Sequence, residues 1–523
     1  MKKLLSIVIS LACVLLCVFG MDAYIKHRLL KNKDILRYNN SSLRNSSSYV
    51  MDHVIDENTV VIIGSSELAV ANAEASGNYL SFPNYLCNGG HSDLNICLVG
   101  RNAMQSLHHT LTVGALADTL KDKKVVFLLS PQWFTEEHVS SEQFASRFEE
   151  AAFVDFLKND DIDNDLKNQV CERVNTLMTS DPNELERLEK FEKVYLDNTF
   201  DLFTRVEMYT SGLFRESKIR FELNKELDDI QLKVDNDRFV KFGEIDFDLL
   251  LDDAQKLGEK LCTTNSFGVY DGYFEKYMKT DYRTLKGSSS DGCFSRSKEY
   301  DDFKLFLDVC ADVGVEPLVV SVPVNGRWYD YTGFPKEDRN TYYQNIREIC
   351  NEYGVSLIDY ADREYELYFL QDIMHVGWKG WSYLDEVSYN YYLENQVNNR
   401  ISYTELKPLT INCSDNDSMI SDTDFMVGNA GESFNRLDVS LTEKNYLIDS
   451  TLKSGSRSSV FLVDGDSGEY NIEFKVIYDD HEEKIDYSVS LEKGEVYKVV
   501  YMVETDEENR AVVSGVQFFK VEY

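Results

Sequence analysis

The stretch TVVIIGSSELAV, residues Thr59 to Val70, decides the fold of this protein and poses the first question about its function. It begins with five apolar or β-branched residues, continues with Gly-Ser-Ser-Glu and then turns to a helical pattern. A short apolar run that ends at turn residues is typical of a strand buried on both faces of a parallel sheet. Two hydroxyl groups and an acid therefore stand where a buried strand meets a helix. They can cap the helix or surround a nucleophile.

Four further runs of this kind follow along the chain. Amphipathic stretches such as DDFKLFLDVCADV lie between them, with apolar residues three and four positions apart. Strands that alternate with helices predict an α/β fold with a doubly wound, flavodoxin-like parallel sheet. The four runs are LNICLVG (94–100), KKVVFLLSPQWF (123–134), GVEPLVVSVPVNG (314–326) and GVSLIDY (354–360).

The N-terminus has the pattern of a membrane anchor. Lys2 and Lys3 precede an uncharged apolar run that ends near Gly20, long enough to span a bilayer. We expect a transmembrane helix over residues 1–21 with its N-terminus in the cytoplasm, and a cleaved signal peptide is the competing interpretation. Residues 22–50 are predicted to be a stalk and polar linker.

The remaining chain divides into a catalytic domain and a C-terminal domain. The α/β catalytic domain is predicted over residues 51–400, with a charged, mostly helical insertion at 135–300 that covers one edge of the sheet. Residues 401–523 alternate apolar and polar positions between evenly spaced turns. This pattern predicts an antiparallel β-sandwich.

Charge and cysteine spacing limit the possible partners. The net charge of −36 argues against nucleic acid, because phosphate binding requires clustered Lys and Arg. The ten cysteines contain no CxxC pair, and the adjacent His108 and His109 would point in different directions from a helix. These patterns argue against a metal site, and no organic cofactor is expected either.

A serine at a strand end needs a base before it becomes a useful nucleophile. Among eight histidines, His375 stands three residues after Asp372 in LQDIMHVGWKGW. Residues so spaced on one turn can place a carboxylate against the imidazole while the other ring nitrogen reaches a serine. The alternative is that His375 is an ordinary polar loop residue.

Several motifs together resemble a known family. GSSE after the first strand and D-x-x-H near the end of the α/β region are similar to the SGNH-hydrolase superfamily. The set GSSEL, QSLHH, LSPQWF, PVNGRWYDYTG and DIMHVGWKGW resembles the D-alanine transfer protein family, DltD, from the N-terminus to about Tyr392. That family acts on teichoic acids of Gram-positive bacteria.

The resemblance implies a role for each matching residue. Ser66 would be the nucleophile, His375 the general base and Asp372 its orienting partner. The backbone N–H groups of Ser66 and Gly100 would bind the oxyanion. The Asn of the superfamily's third block has no counterpart, because the chain has SPQWF after the third strand. Contacts with substrate are assigned to Gln132, Trp133 and Trp378.

The resemblance also implies an activity and its setting. A D-alanyl group would pass through an ester of Ser66 to a hydroxyl of lipoteichoic or wall teichoic acid. The expected partners are a membrane-bound O-acyltransferase and a D-alanyl carrier protein, and the catalytic body would be extracellular on a single-pass membrane protein. Two alternatives stay open, an esterase or O-acyltransferase for another wall glycan and a non-enzymatic scaffold.

Overall fold

The computed structural model describes residues 2–38, 47–70, 95–120, 123–135, 140–197, 202–237 and 246–393, followed by 405–408, 411–413, 439–441, 443–449, 455–463, 465–477, 482–505 and 511–522. At its centre lies a parallel sheet with the strand order β2-β1-β3-β4-β5. This is the order of flavodoxin-like doubly wound sheets. The predicted α/β fold with a parallel sheet is confirmed. The strands are β1 Thr59–Ile63, β2 Asn95–Val99, β3 Lys124–Leu129, β4 Glu316–Ser321 and β5 Ser356–Asp359.

The apolar runs are continuous because both faces of this sheet are covered. Val60 and Ile62 belong to one hydrophobic core, whereas Val61 and Ile63 belong to another on the opposite face. Successive side chains of a strand point to opposite faces, so each face receives every second residue. All five residues of β1 are buried in consequence.

Helices cover the two faces. The described helices are α1 Lys2–Lys31, α2 Lys33–Tyr38, α3 Ser48–Val54, α4 Ser66–Val70, α5 Ser106–Ala115, α6 Ala117–Leu120, α7 Ser141–Arg147, α8 Glu150–Lys158, α9 Asn164–Leu177, α10 Pro182–Tyr195, α11 Leu202–Asp237, α12 Phe247–Leu261, α13 Glu299–Asp312, α14 Gly326–Thr332, α15 Lys336–Tyr353 and α16 Trp378–Tyr392. Short helical turns lie at Pro131–Phe134, Asp271–Tyr273, Phe274–Met278, Tyr282–Leu285 and Ala361–Arg363.

The segment predicted as an insertion is largely helical, and it contributes to both faces of the sheet rather than to one edge. Phe153 of α8 and Val170 of α9 join the core that also holds Val61. Leu250 and Ala254 of α12 join the other core, which they share with α16. Amphipathic helices bury a stripe wherever a matching apolar surface exists, so the two halves of the segment serve different faces.

The predicted anchor and the first part of the predicted stalk form one helix, α1, that ends at Lys31 and packs against the body. Ile25 and Leu29 near the end of α1 are buried in the core of the α/β domain, and Arg37 of α2 donates to the Val54 carbonyl at 2.6 Å. Residues 39–46 of the predicted linker lie outside the described residues. In the described part of the chain, no helix combines the length and the apolar character needed to cross a membrane.

The C-terminal strands form two further sheets, with the orders β6-β14-β13-β10-β8 and β7-β12-β11-β9. Most neighbours are antiparallel, but β8 runs parallel to β10 and β9 runs parallel to β11, which differs from the predicted all-antiparallel pairing. The ring of Phe474 on β11 meets that of Tyr501 on β13 at 4.7 Å. The strands are β6 Glu405–Pro408, β7 Ile411–Cys413, β8 Val439–Leu441, β9 Asn445–Asp449, β10 Gly455–Val463, β11 Gly468–Ile477, β12 Glu482–Leu491, β13 Val496–Thr505 and β14 Ala511–Glu522.

Candidate active site

Three side chains predicted from the sequence meet at the carboxyl edge of the parallel sheet. Ser66 is the first residue of α4, three positions beyond Ile63, the last residue of β1. Its Oγ lies 2.9 Å from His375 Nε2, although the two residues are 309 positions apart. His375 Nδ1 lies 2.7 Å from Asp372 Oδ2. The hydroxyl, imidazole and carboxylate therefore form one continuous hydrogen-bonded chain.

The carboxylate fixes the proton arrangement in this chain. Asp372 is almost fully buried, and its two carboxylate oxygens accept hydrogen bonds from backbone N–H groups and from the imidazole. His375 Nδ1 therefore carries the proton that it donates to Asp372, and Nε2 is left to accept the Ser66 hydroxyl proton. Burial lowers the pKa of His375, but the hydrogen bond and charge of Asp372 outweigh it and raise the pKa above the ordinary value. This arrangement makes His375 a stronger base.

Asp372 and His375 are held by a tight turn rather than by a helix. Leu370 and Val376 form an antiparallel bridge that closes the turn, and the Gln371 N–H donates to the His375 carbonyl at 2.9 Å. Inside the turn, Asp372 Oδ1 accepts the backbone N–H groups of Met374 and His375, both at 2.8 Å. One carboxylate oxygen thus orders the backbone while the other orients the imidazole.

Asn325 supports this turn from the neighbouring strand and was missed by the sequence analysis. It lies beyond β4 and caps α14, where its side-chain oxygen accepts the Trp328 N–H at 3.1 Å. Its Nδ2 donates to the carbonyls of Asp372, at 3.3 Å, and Phe267, at 3.1 Å. The PVNGRW segment marked this region, but its spacing did not indicate a contact with Asp372.

The turn that presents Ser66 is fixed through backbone groups. The Gly64 N–H donates to the Val99 carbonyl at 3.1 Å, and the Ser65 N–H donates to Glu67 Oε1 at 2.6 Å. Glu67 is almost fully buried, and burial raises its pKa. The Glu67 side chain of GSSE therefore holds the turn that precedes Ser66.

His109 and Gly100 surround the carbonyl of Gly64. His109 is buried and hydrogen-bonded to the Gly64 backbone, while its Nδ1 has no hydrogen-bond partner among the described residues. Its remaining ring nitrogen, Nε2, therefore donates to the carbonyl. A Cβ on Gly100 would lie 1.8 Å from the Gly64 oxygen, at a φ of +154°. Only glycine fits there, and His109 of QSLHH supports the turn before Ser66.

The adjacent histidines stay neutral at physiological pH. Burial lowers the pKa of both His108 and His109 to about 3. His108 Nδ1 accepts the Gln105 N–H at the start of α5. Within the described residues, no group of three or more His, Cys, Asp or Glu side chains could hold a metal ion.

The residues assigned to substrate differ in their exposure. Gln132 and Trp133 lie in the turn after β3, which neighbours β1, and both are half-buried. Their Nε2 and Nε1 donors are buried and have no hydrogen-bond partner in the described structure. Trp378 is 4% exposed and packs edge-on against Tyr270, so its indole contacts protein rather than solvent.

One more side chain from the insertion approaches the site. Tyr273 precedes the π-helical turn Phe274–Met278 and is half-buried. Burial, together with the charge of Asp372, raises its pKa to about 12. Its phenol therefore stays protonated beside the Asp372 carboxylate, and no motif in the sequence pointed to it.

Comparison with known proteins places these features in a family. A family model described as DltD protein matches residues 37–393, a range that contains the whole site. Protein DltD of Bacillus subtilis (strain 168) is 29% identical over 366 residues, which cover 67% of this chain and 86% of the relative. Protein DltD of Staphylococcus aureus (strain NCTC 8325 / PS 47) is 25% identical over 68% of this chain and 88% of the relative. Protein DltD of Lacticaseibacillus rhamnosus is 26% identical over 64% and 78%, respectively.

Proposed function

Because this chain belongs to the DltD family, we propose that it transfers D-alanyl groups to teichoic acid through an ester of Ser66. The observation that carries the proposal is the hydrogen-bonded chain from Ser66 Oγ through His375 to Asp372, with distances of 2.9 and 2.7 Å. Such a chain activates a hydroxyl for attack on an acyl carbonyl.

The first half of the reaction forms the acyl-enzyme. Ser66 Oγ attacks the carbonyl carbon of a D-alanyl ester or thioester while its proton passes to His375 Nε2. The negative charge on the carbonyl oxygen is met by the backbone N–H of Ser66 at the start of α4, with Gly100 as the second donor. Collapse of the tetrahedral intermediate breaks the bond to the leaving group, which takes the proton from His375.

The second half uses the same groups in reverse. A hydroxyl of the glycerol or ribitol phosphate polymer gives its proton to His375 Nε2 and attacks the D-alanyl ester. The intermediate collapses, the proton returns to Ser66 Oγ, and the polymer leaves as a D-alanyl ester. Water can replace the polymer hydroxyl, which would make the protein an esterase. No cofactor takes part in either half.

The topology supports an SGNH-like catalytic domain. The nucleophile follows the first strand of a sheet with the order 2-1-3-4-5, and the acid and base come from a turn after the last strand. In open α/β sheets, sites form outside the carboxyl ends of the strands. Gln132 stands near the position of the superfamily's Asn and carries an unpaired donor in the described structure, which suits it to substrate or oxyanion binding.

We place the protein at the outer face of the cell membrane, where the acceptor polymer lies. The exposed apolar side chains of α1, including Leu16 and Phe19, support attachment through this helix. A membrane-bound O-acyltransferase and a D-alanyl carrier protein would supply the activated acyl group there. Extraction of membranes with alkaline carbonate tests whether the protein is attached to the membrane. Protease treatment of intact cells tests whether its body lies on the outer side.

A second candidate is ester transfer or hydrolysis on another wall glycan. The observation in its favour is that the two C-terminal sheets lie beyond residue 393, outside the family match. A predicted β-sandwich there would offer a surface for a wall polymer.

The deciding experiment measures D-alanine esters on lipoteichoic and wall teichoic acid in cells that carry wild type, Ser66→Ala, Ser65→Ala or no protein. Ser65→Ala is the matched control, because the Ser65 Oγ is buried and makes no hydrogen bond in the described structure. We expect Ser66→Ala to match the deletion and Ser65→Ala to match wild type. Wild-type ester levels in Ser66→Ala would instead support a scaffold, and unchanged levels in the deletion would support another glycan.

A further inference from the structure

Exposed large apolar side chains are concentrated on the N-terminal parts of two helices, α1 and α11. Such residues are uncommon on the rest of the described surface, where Leu249, Tyr277, Leu285 and Leu393 are the others. Contiguous exposed apolar surface of this kind marks an interaction site. The exposed side chains are Ile9, Val14, Leu16, Val18, Phe19, Met21 and Tyr24 on α1, and Leu202, Phe203, Val206, Tyr209, Leu213, Phe214 and Phe221 on α11.

The two helices run side by side in the same direction. Arg28 donates to Asn224, and both Ser217 and Arg220 donate to Asp22. The paired residues are 195 to 198 positions apart in every case. This nearly constant separation means that residue numbers increase in the same direction along both helices. The exposed N-terminal parts therefore lie toward the same end of the pair.

A polar boundary separates the exposed parts from the packed parts. Asp22 forms ion pairs with Lys26 and with the nearly buried Arg220, which also pairs with Glu216. Beyond this boundary the helices enter the core through Ile25 and Leu29 of α1 and through Leu223 and Leu227 of α11. Most of the exposed apolar side chains thus lie before the boundary, and only Tyr24 and Phe221 among them lie just beyond it.

The exposed apolar residues near the start of α11 lie on one broad face, which also includes Thr210. At about 100° per residue, Leu202, Val206, Tyr209 and Leu213 share a stripe, and Phe203 and Phe214 lie beside it. Polar residues such as Glu207 and Ser211 occupy other directions, and Met208 turns toward the core. Such an amphipathic helix can place its apolar face among acyl chains beside α1 and turn its polar residues away from them.

From these observations we infer that the first part of α11, residues 202–214, contacts the lipid bilayer beside α1. The inference rests on the proposed membrane attachment and adds a second contact to it. Arg215 of α11 pairs with Glu150 of α8, so this contact is tied directly to the catalytic domain. Two membrane contacts joined to one rigid body would fix the height and orientation of the Ser66 site above the membrane.

The test uses the full-length protein in phosphatidylglycerol vesicles with a photoreactive residue at one position. The variants are Phe214→p-benzoylphenylalanine and Phe203→p-benzoylphenylalanine, and the matched control is Leu249→p-benzoylphenylalanine, an exposed apolar position on α12. After illumination, mass spectrometry of the labelled peptide identifies its adducts. We expect lipid adducts at Phe203 and Phe214 and none at Leu249.

The possible outcomes separate the two proposals. Lipid adducts at Leu249 in equal yield, or adducts at Phe214 only to another protein or a second copy of the chain, would overturn the contact with lipid. Variants that sediment with the vesicles as the wild type does, but give no lipid adduct at position 203 or 214, would overturn this inference alone. Wild-type protein that stays in solution would overturn the membrane attachment as well. Ester hydrolysis in the same samples reports the Ser66 chemistry independently.

Discussion

Asp372→Asn is the most informative single change, because it keeps the shape of the carboxylate and removes its charge. In the structure, Asp372 Oδ1 accepts two backbone N–H groups at 2.8 Å and Oδ2 accepts His375 Nδ1–H at 2.7 Å. The amide oxygen of Asn must take the place of Oδ1, because only an acceptor satisfies those two donors. Its NH₂ group then faces His375 Nδ1.

This arrangement moves the proton of the neutral imidazole from Nδ1 to Nε2. A donor opposite Nδ1 stabilises the tautomer with its proton on Nε2, and that nitrogen can no longer accept the proton of Ser66. We expect kcat to fall by about 10⁴-fold, the magnitude that the same substitution causes in a Ser-His-Asp protease. Folding should be retained, because the turn keeps its backbone hydrogen bonds.

The pH profile supplies a second measure of the same interaction. His375 acts only when neutral, so kcat/KM rises as pH increases through its pKa. Asp372 raises that pKa, and the acidic limb of the wild type should lie above that of an ordinary histidine. Without the charge of Asp372, the limb of the residual activity should move to lower pH. The assay is hydrolysis of a small activated ester between about pH 5 and 9, the range over which a histidine titrates.

A matched control separates the effect of removing the Asp372 charge from the effect of removing a carboxylate far from the site. Asp163→Asn removes a carboxylate from the exposed N-cap of α9, where Asn caps as well as Asp. It should leave kcat and the pH profile unchanged. The reasoning would be refuted by a fall of less than about tenfold in a folded Asp372→Asn protein, since an inverted tautomer must cost far more.

Three further outcomes follow from the turn before Ser66 and from one buried ion pair. Gly100→Ala should abolish ester hydrolysis, because the new Cβ would overlap the Gly64 carbonyl at 1.8 Å; wild-type kcat would contradict this. His109→Phe leaves that buried carbonyl without its donor, so kcat should fall with little change in KM, and His109→Gln should restore part of kcat. Equal kcat in the two His109 variants would show that the hydrogen bond has no positioning role. Arg339→Met leaves Glu364 buried without its cation and should lower the free energy of unfolding in urea by about 3–5 kcal/mol; a loss below about 1 kcal/mol, as for exposed pairs, would contradict it.

The architecture of the sheet could be predicted from the sequence because it follows from local patterns. Each of the five strands coincides with an apolar run bounded by turn residues. Burial on both faces removes the alternation that a half-exposed strand would show. The family motifs then singled out Ser66, Asp372 and His375, and the structure brings these three side chains within hydrogen-bond distance.

The direction in which the helical segment packs could not be predicted. A helical pattern shows that residues 140–261 bury apolar stripes, but the pattern is the same whichever surface they bury. Tertiary structure sends α8 and α9 to one face of the sheet and α12 to the other. It also leaves the apolar face of residues 202–214 without a partner among the described residues.

By itself, the sequence determined a doubly covered parallel sheet and a serine, histidine and aspartate in the loops at its carboxyl edge. The family motifs had assigned the role to Ser66 rather than Ser65, and the tertiary structure supplies the physical reason, since Ser65 Oγ is buried while Ser66 Oγ reaches His375. It alone revealed Asn325 and His109, whose side chains hold backbone carbonyls of residues distant in the chain. Every residue carries the same carbonyl group, so such a contact leaves no pattern in side-chain types, and only the folded chain shows which carbonyl a donor reaches.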